Sequence, residues 1–240
     1  MCNSDDDIPK EVKRTISREI QQKETETMRK SERRPQIVNP MHPEAQHFTN
    51  NQKNKNRYEK EKDRDEKPLI LLVGDSMIKN VTNYDLRKKC GNARIMVRSL
   101  GGAKIKNIEN LIKDLLRESS PKAICVHVAT NDISDEKSTD AITGEMKDVI
   151  NLIKEKGIIP IISLITARKD DFSEKVNVIN EKLIQLCKAQ NVFYIDHGNI
   201  NKTHLNPGGL HITWQNTYLL KENFADFFHF AVEHNFYFTQ

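Results

Sequence analysis

From Pro68 onward the chain alternates short continuous apolar runs with longer stretches whose apolar residues recur every three or four positions. The first 67 residues show neither pattern. The runs are Leu69–Val73, Ala93–Val97, Ala123–Val128, Ile158–Leu164 and Val192–Ile195, too short for helices and bounded by turn-forming residues, which predicts five strands. Between them, Ile105, Ile108, Leu111, Ile112, Leu115 and Leu116 trace a helical stripe. So do Ile142, Met146, Val149, Ile150 and Ile153, closed by Gly157 in the position that favours a left-handed residue, and then Val176, Ile179, Leu183, Leu186 and Cys187. A last helix is predicted from about Gln215 to His234. Strands apolar on both faces, alternating with helices, predict a parallel sheet covered on both sides. Right-handed crossovers then give a three-layer α/β/α sandwich with a five-stranded parallel sheet.

Composition changes this picture at one end only. Hydrophobic residues make up 37% of the 240, and they are concentrated after Pro68. Residues 1–67 mix Lys, Arg, Glu, Asp, Gln and Asn, which cannot bury enough apolar surface to offset the entropy of ordering the backbone. A charged, mostly disordered tail is predicted there, partly helical between Asp7 and Arg34, with a linker from Pro35 to Lys67. The folded domain is expected over 68–232, with 233–240 as a C-terminal tip. The net charge of +4 is small and interspersed, so it does not by itself call for nucleic acid. The cluster Arg29-Lys30-Ser31-Glu32-Arg33-Arg34 reads first as a solvated run, and secondly as a phosphate contact or nuclear import address. The four cysteines are far apart with no metal-ligand spacing, and Cys125 and Cys187 are expected as buried thiols. With no apolar leader and no stretch long enough to span a bilayer, an intracellular protein is expected, cytoplasmic or nuclear.

The chemistry-bearing residues follow the strands. Gly74-Asp75-Ser76 comes after the first and Ser99-Leu100-Gly101-Gly102-Ala103 after the second. Ala129-Thr130-Asn131-Asp132 follows the third and Asp196-His197-Gly198-Asn199 the fifth. A final loop carries His204-Leu205-Asn206-Pro207-Gly208-Gly209-Leu210-His211. In an open α/β sheet those loops share the carboxyl edge, where ligands bind. A hydroxyl, a glycine amide at a helix start, a carboxamide and a histidine on one rim are the parts needed for acyl transfer. Taken singly, Ser76 and Asn131 are also ordinary turn residues, and Gly102 could serve close helix–sheet packing, with Gly101 as a neighbouring donor. Asp75 and Asp132 read as structural supports of their loops. His197, His204 and His211 are spaced seven apart near Asp196, but this fits no compact ligand pattern, so no metal and no cofactor is expected. His127 reads as a hydrogen-bonded core histidine. The run Phe224, Phe227, Phe228 and Phe230, continued by Phe236, Tyr237 and Phe238, reads as the last helix packing on the sheet.

These blocks, in this order over about 68–230, resemble those of the SGNH (GDSL-like) hydrolases. Ser76 matches the nucleophile block, Gly102 the glycine block, Asn131 the asparagine block and His211 the histidine block. The stretches Asp196–Ile200 and His204–His211 look closest to the esterase-like domains of proteins related to the first open reading frame of animal non-LTR retrotransposons. The resemblance implies a flavodoxin-like sandwich and a serine esterase acting on acyl or acetyl carboxylic esters. Ser76 is then the nucleophile, His211 the base, and Ser76, Gly102 and Asn131 the oxyanion donors.

Two positions depart from that pattern. Ala129 stands where the asparagine block begins with glycine, and Gly208 stands where the family places an aspartate three residues before its histidine. The expectation is therefore a Ser76–His211 dyad, slower than a full triad, with Asp196 or Asn206 as candidates to orient the imidazole. Two alternatives follow: an inactive SGNH-fold module that binds an acylated, lipid or glycan partner, and a retroelement-derived accessory protein whose tail contacts RNA or self-associates.

Overall fold

The structure, a computed structural model, describes residues 67–234. The expectations for the tail before Lys67, and for the aromatic tip after His234, lie outside the described residues. Strands β1 (Leu69–Gly74), β2 (Arg94–Ser99), β3 (Ala123–His127), β4 (Ile159–Ser163) and β5 (Phe193–Ile195) form one sheet in the order β2-β1-β3-β4-β5. Every pairing is parallel. The helices are α1 (Asn83–Arg87), α2 (Ile105–Glu118), α3 (Thr130–Ser134), α4 (Thr139–Glu155), α5 (Ser173–Gln190) and α6 (Thr217–Glu233).

Strand side chains alternate between two cores, which is why the runs are apolar throughout. Leu69, Leu71 and Val73 of β1 pack with Ile108 and Ile112 of α2, Val149 and Ile150 of α4, and Ile179 and Leu183 of α5. Ile70 and Leu72 face the other way, against Leu86 of α1 and Leu220, Phe224 and Phe228 of α6. The aromatic run therefore divides: Phe224 and Phe228 are buried while Phe230 is exposed. Cys125 and Cys187 are buried free thiols, and Cys90 joins them.

The helix ends follow local chemistry. The Ser138 hydroxyl caps α4 by accepting the Ala141 N–H at 3.2 Å. At the other end Gly157 takes φ +67°, its N–H donates to the Lys154 carbonyl, and the Ile158 N–H donates to the Ile153 carbonyl. Those two bonds satisfy carbonyls the helix leaves open.

Helix α1 has a specific task. Strand β2 is an edge, with N–H and C=O groups facing outward. The Asn83 carboxamide oxygen accepts the Val97 N–H at 2.7 Å, and the Arg87 guanidinium donates to the Ile95 carbonyl at 3.4 Å. Five residues with one buried leucine cover the edge without needing an amphipathic stripe.

The chain leaves β1 to one side toward β2 and returns on the other side of β1 as β3. The carboxyl ends of β1 and β3 are thus the topological switch point, the crevice in which such sheets hold ligands.

Candidate active site

Gly74 is required by close approach. A methyl group there would lie 2.3 Å from the His127 carbonyl oxygen, because β1 and β3 are in register at Gly74 and His127. The same carbonyl accepts the Asp75 N–H at 3.1 Å, which turns the chain sharply out of the strand. Asp75 then caps a short 3-10 turn, Ser76–Ile78, by accepting the Met77 N–H at 2.9 Å. The Ser99 hydroxyl donates to the Asp75 carbonyl at 2.8 Å. Ser76 is left partly exposed at the top of the turn while both its neighbours are buried. Burial pushes the Asp75 carboxyl up to about 6, against the Met77 N–H and the polar groups of Thr130, which pull it down.

His211 arrives from the far end of the chain. Its Nε2 lies 3.2 Å from the Ser76 hydroxyl, 135 residues away in sequence. The loop behind it is held by backbone: Asn206 N–H donates to the His211 carbonyl at 2.8 Å, and Leu205 bridges to Ile212. Burial and then the charge of Lys79 lower the His211 pKa, so the imidazole is neutral at pH 7 and free to accept a proton. Neither residue expected to orient it does so through its side chain. The Asp196 carboxylate accepts the Gly198 N–H at 3.1 Å, and the Asn206 carboxamide oxygen accepts the Leu210 N–H at 3.4 Å. Asn206 thus shapes the backbone turn rather than the imidazole. Gly208 is exposed and offers no carboxylate.

The glycine and asparagine blocks meet. Gly102 takes φ +70°, with nothing within 4 Å of where a methyl would point. Its reason for being glycine is conformation and not tight packing. The next residue but one leads into α2. The Asn131 carboxamide nitrogen donates one hydrogen to the Ala103 carbonyl at 2.9 Å, and its second hydrogen remains available. Asp132 is fully buried between the Ile105 N–H at 3.0 Å and Lys137 at 2.6 Å, and so ties the start of α2 to α3.

Ala129 opens α3 at φ 102°, ψ −7°, where an L side chain is strained by about 1–3 kcal/mol. Ala129→Gly relieves that strain, but loses a buried methyl worth about 0.8 kcal/mol and adds unfolded-chain entropy of about 0.4–1 kcal/mol. The expected net change in unfolding free energy lies between about −1 and +2 kcal/mol. Ala123→Gly, in the regular strand β3, is expected to lose more in the same denaturant titration.

A second polar group lies beneath the rim. His127 Nδ1 and His197 Nε2 each lie 2.7 Å from the Ser163 hydroxyl, and the Asn223 amide donates to His197 Nδ1 at 2.9 Å. That donation fixes the protons: His197 carries its hydrogen on Nε2 and donates to Ser163, and Ser163 donates to His127 Nδ1. Burial lowers the His127 pKa to about 4, and burial plus the neighbouring His127 lowers that of His197 well below its usual value. His127 is thus the core histidine expected, but His197 and Ser163 complete a network that the sequence did not announce. His204 bonds elsewhere, its Nδ1 accepting the Asn201 N–H, so the three evenly spaced histidines have three separate environments.

Sequence reasoning also passed over Arg168, a 4% exposed arginine after β4. Standing between Ala167 and Lys169 it carries no spacing signal, since its contacts to α3 lie more than 30 residues away.

No protein-family model and no curated protein matches the chain. Solved structures do match. A GDSL-like lipase from Bacteroides thetaiotaomicron is 14% identical, with TM-score 0.60 over 71% of this chain and 90% of that one. A lipase/acylhydrolase from Enterococcus faecalis is 15% identical, with TM-score 0.58 over 68% and 96%. An acetylxylan esterase from Geobacillus stearothermophilus is 11% identical, with TM-score 0.58 over 67% and 94%. At these identities the likeness is one of fold: this chain has the α/β sandwich of those hydrolases. No helix among the described residues is long and apolar enough to cross a membrane.

Proposed function

We propose that this chain is a serine esterase of the SGNH type, hydrolysing carboxylic esters. The observation that carries the reading is the Ser76 hydroxyl 3.2 Å from His211 Nε2 at the sheet's switch point. Ser76 Oγ attacks the ester carbonyl as its proton passes to His211 Nε2. The developing oxyanion is held by the N–H groups of Ser76 and Gly102 and the remaining Asn131 amide hydrogen. Collapse expels the alcohol, which takes the proton from His211. Water then attacks the acyl–Ser76 carbonyl as its proton passes to His211 Nε2, and on collapse Ser76 Oγ leaves with that proton as the acid is released.

Without a carboxylate behind His211, the imidazolium formed in the transition state lacks a partner charge, and Lys79 opposes it. In a Ser-His-Asp triad, replacing the acid by its amide lowers turnover by roughly 10⁴-fold, part of which comes from a wrong tautomer. A slower enzyme than a full triad is the expectation. The test is hydrolysis of p-nitrophenyl acetate and butyrate by the full chain, with Ser76→Ala as control. Turnover lost in the control supports the reading, and equal rates for both proteins overturn it.

Gly208 favours a second reading, a site that binds an acylated partner without turning it over. That protein would retain ester analogues and release no product. The resemblance of the 196–211 stretch to retroelement-related domains fits either reading, with this domain as an accessory to the tail.

A further inference from the structure

The donors of an oxyanion hole act only if they are held at the position the oxygen will occupy. Asn131 sits on α3, a five-residue helix that opens on a strained residue and buries only Thr130, Asp132 and Ile133. A helix so short has little of its own to fix its direction. Besides the ties of Asp132 to Ile105 and Lys137, a buried cation reaches it from outside. The Arg168 guanidinium donates to the Thr130 carbonyl at 2.9 Å through Nη1 and to the Ser134 hydroxyl at 3.1 Å through Nη2, grasping both ends of α3. Asp170 aims the fork from behind: its carboxylate accepts Nε at 2.9 Å and pairs with Nη2. The pairing holds the Asp170 carboxyl below its usual range.

The neighbouring residue reaches the other half of the site. The Lys169 N–H donates to the Gly209 carbonyl at 2.8 Å, and Gly209, at φ +72°, packs so closely that a methyl there would stand 2.7 Å from Lys169 Cβ. Lys169 Nζ also donates to the Leu205 carbonyl at 3.4 Å. Residues 168–170 therefore bracket the asparagine helix on one side and the His211 loop on the other.

We propose that Arg168 is a positioning residue, which sets the Asn131 carboxamide for the oxyanion by clamping both ends of α3. This rests on the esterase reading for its catalytic meaning, while the clamp itself is a structural claim. A lysine keeps the charge but cannot reproduce a planar fork with several fixed donors. Displacement of a reacting group by about 1 Å costs on the order of 10²-fold.

The experiment compares Arg168→Lys, Asn131→Ala and the double variant in the full chain, by ester hydrolysis and by hydrogen exchange of the α3 amides. Arg168→Lys is expected to lower kcat by about tenfold to a hundredfold with little change in KM. In the Asn131→Ala background the same change is expected to cost less than about twofold, since the group it positions is gone. Additive losses would overturn the positioning role. Exchange over Thr130–Ser134 is expected to quicken in Arg168→Lys whether or not esters are turned over. Unchanged exchange would refute the clamp independently of the esterase reading. If Arg168→Lys fails to fold, Asp170→Asn frees the fork more gently and is held to the same two criteria.

Discussion

Gly74→Ala is expected to destabilise the domain by about 3 kcal/mol or more, the upper part of the range for overpacked sites. The added methyl would meet the His127 carbonyl oxygen at 2.3 Å and the Ile78 side chain at 3.1 Å. The first of these is backbone in a central parallel strand, and it also receives the Asp75 N–H. That carbonyl cannot step aside without parting β1 from β3, the pairing on which the switch point depends. Gly101→Ala is the fitting comparison, because nothing lies within 4 Å of its added methyl. It is expected to stay within about 0.5 kcal/mol of the parent. Denaturant unfolding of the two variants reads both values, and equal midpoints would show that the strand ends can relax.

Stability is also expected to fall as pH drops from about 6.5 toward 4. His127 is neutral in the fold, with its pKa lowered to about 4, while in the unfolded chain it takes a proton near its ordinary value. The unfolded state therefore binds more protons across that window, and stability is lost as pH falls. At 1.36 kcal/mol per unit, His127 alone accounts for about 3 kcal/mol once pH is near 4. His197 adds in the same direction. Asp75 works against them: its carboxyl is raised to about 6, so the folded state binds the extra proton, and stability rises as pH falls from about 6 to 3.8. That contribution is of similar size, about 3 kcal/mol, and the lowered pKa values of His197 and His211, both acting with His127, tip the sum. Unfolding free energies measured between pH 7.5 and 4.5 should therefore decline, more gently in His127→Asn and more steeply in Asp75→Asn. A profile that rises on the acid side would show that the buried histidines do not carry the effect.

The fold was legible wherever the core dictated the pattern. Leu69–Val73 had to be a buried parallel strand because both of its faces meet helices, and the structure extends it by only Gly74. Gly157 closed α4 as its position required. Helices α1 and α3 escaped notice because each has five residues and too few apolar positions to show a period; they exist to cover an edge and to aim a side chain. The strand-end loops drew attention to Ser76, Gly102, Asn131 and His211, and the structure brings Ser76 beside His211 and Asn131 against Ala103. What spacing could not show was direction. Asp196 and Asn206 were near enough in sequence to serve His211, yet both are spent on turns of backbone. Ser163, His197 and Arg168 act through contacts more than 30 residues away, for which a single sequence carries no signal.

The central claim is that Ser76 is a nucleophile activated by His211. Its most direct measurement is covalent labelling of the full chain with a fluorophosphonate, whose phosphorus takes the serine oxygen as fluoride leaves. Peptide mass spectrometry is expected to find one adduct, on Ser76, formed more slowly in His211→Ala and absent in Ser76→Ala. Absence of any adduct, or labelling of the Ser76→Ala protein at the rate of the parent, would contradict the account.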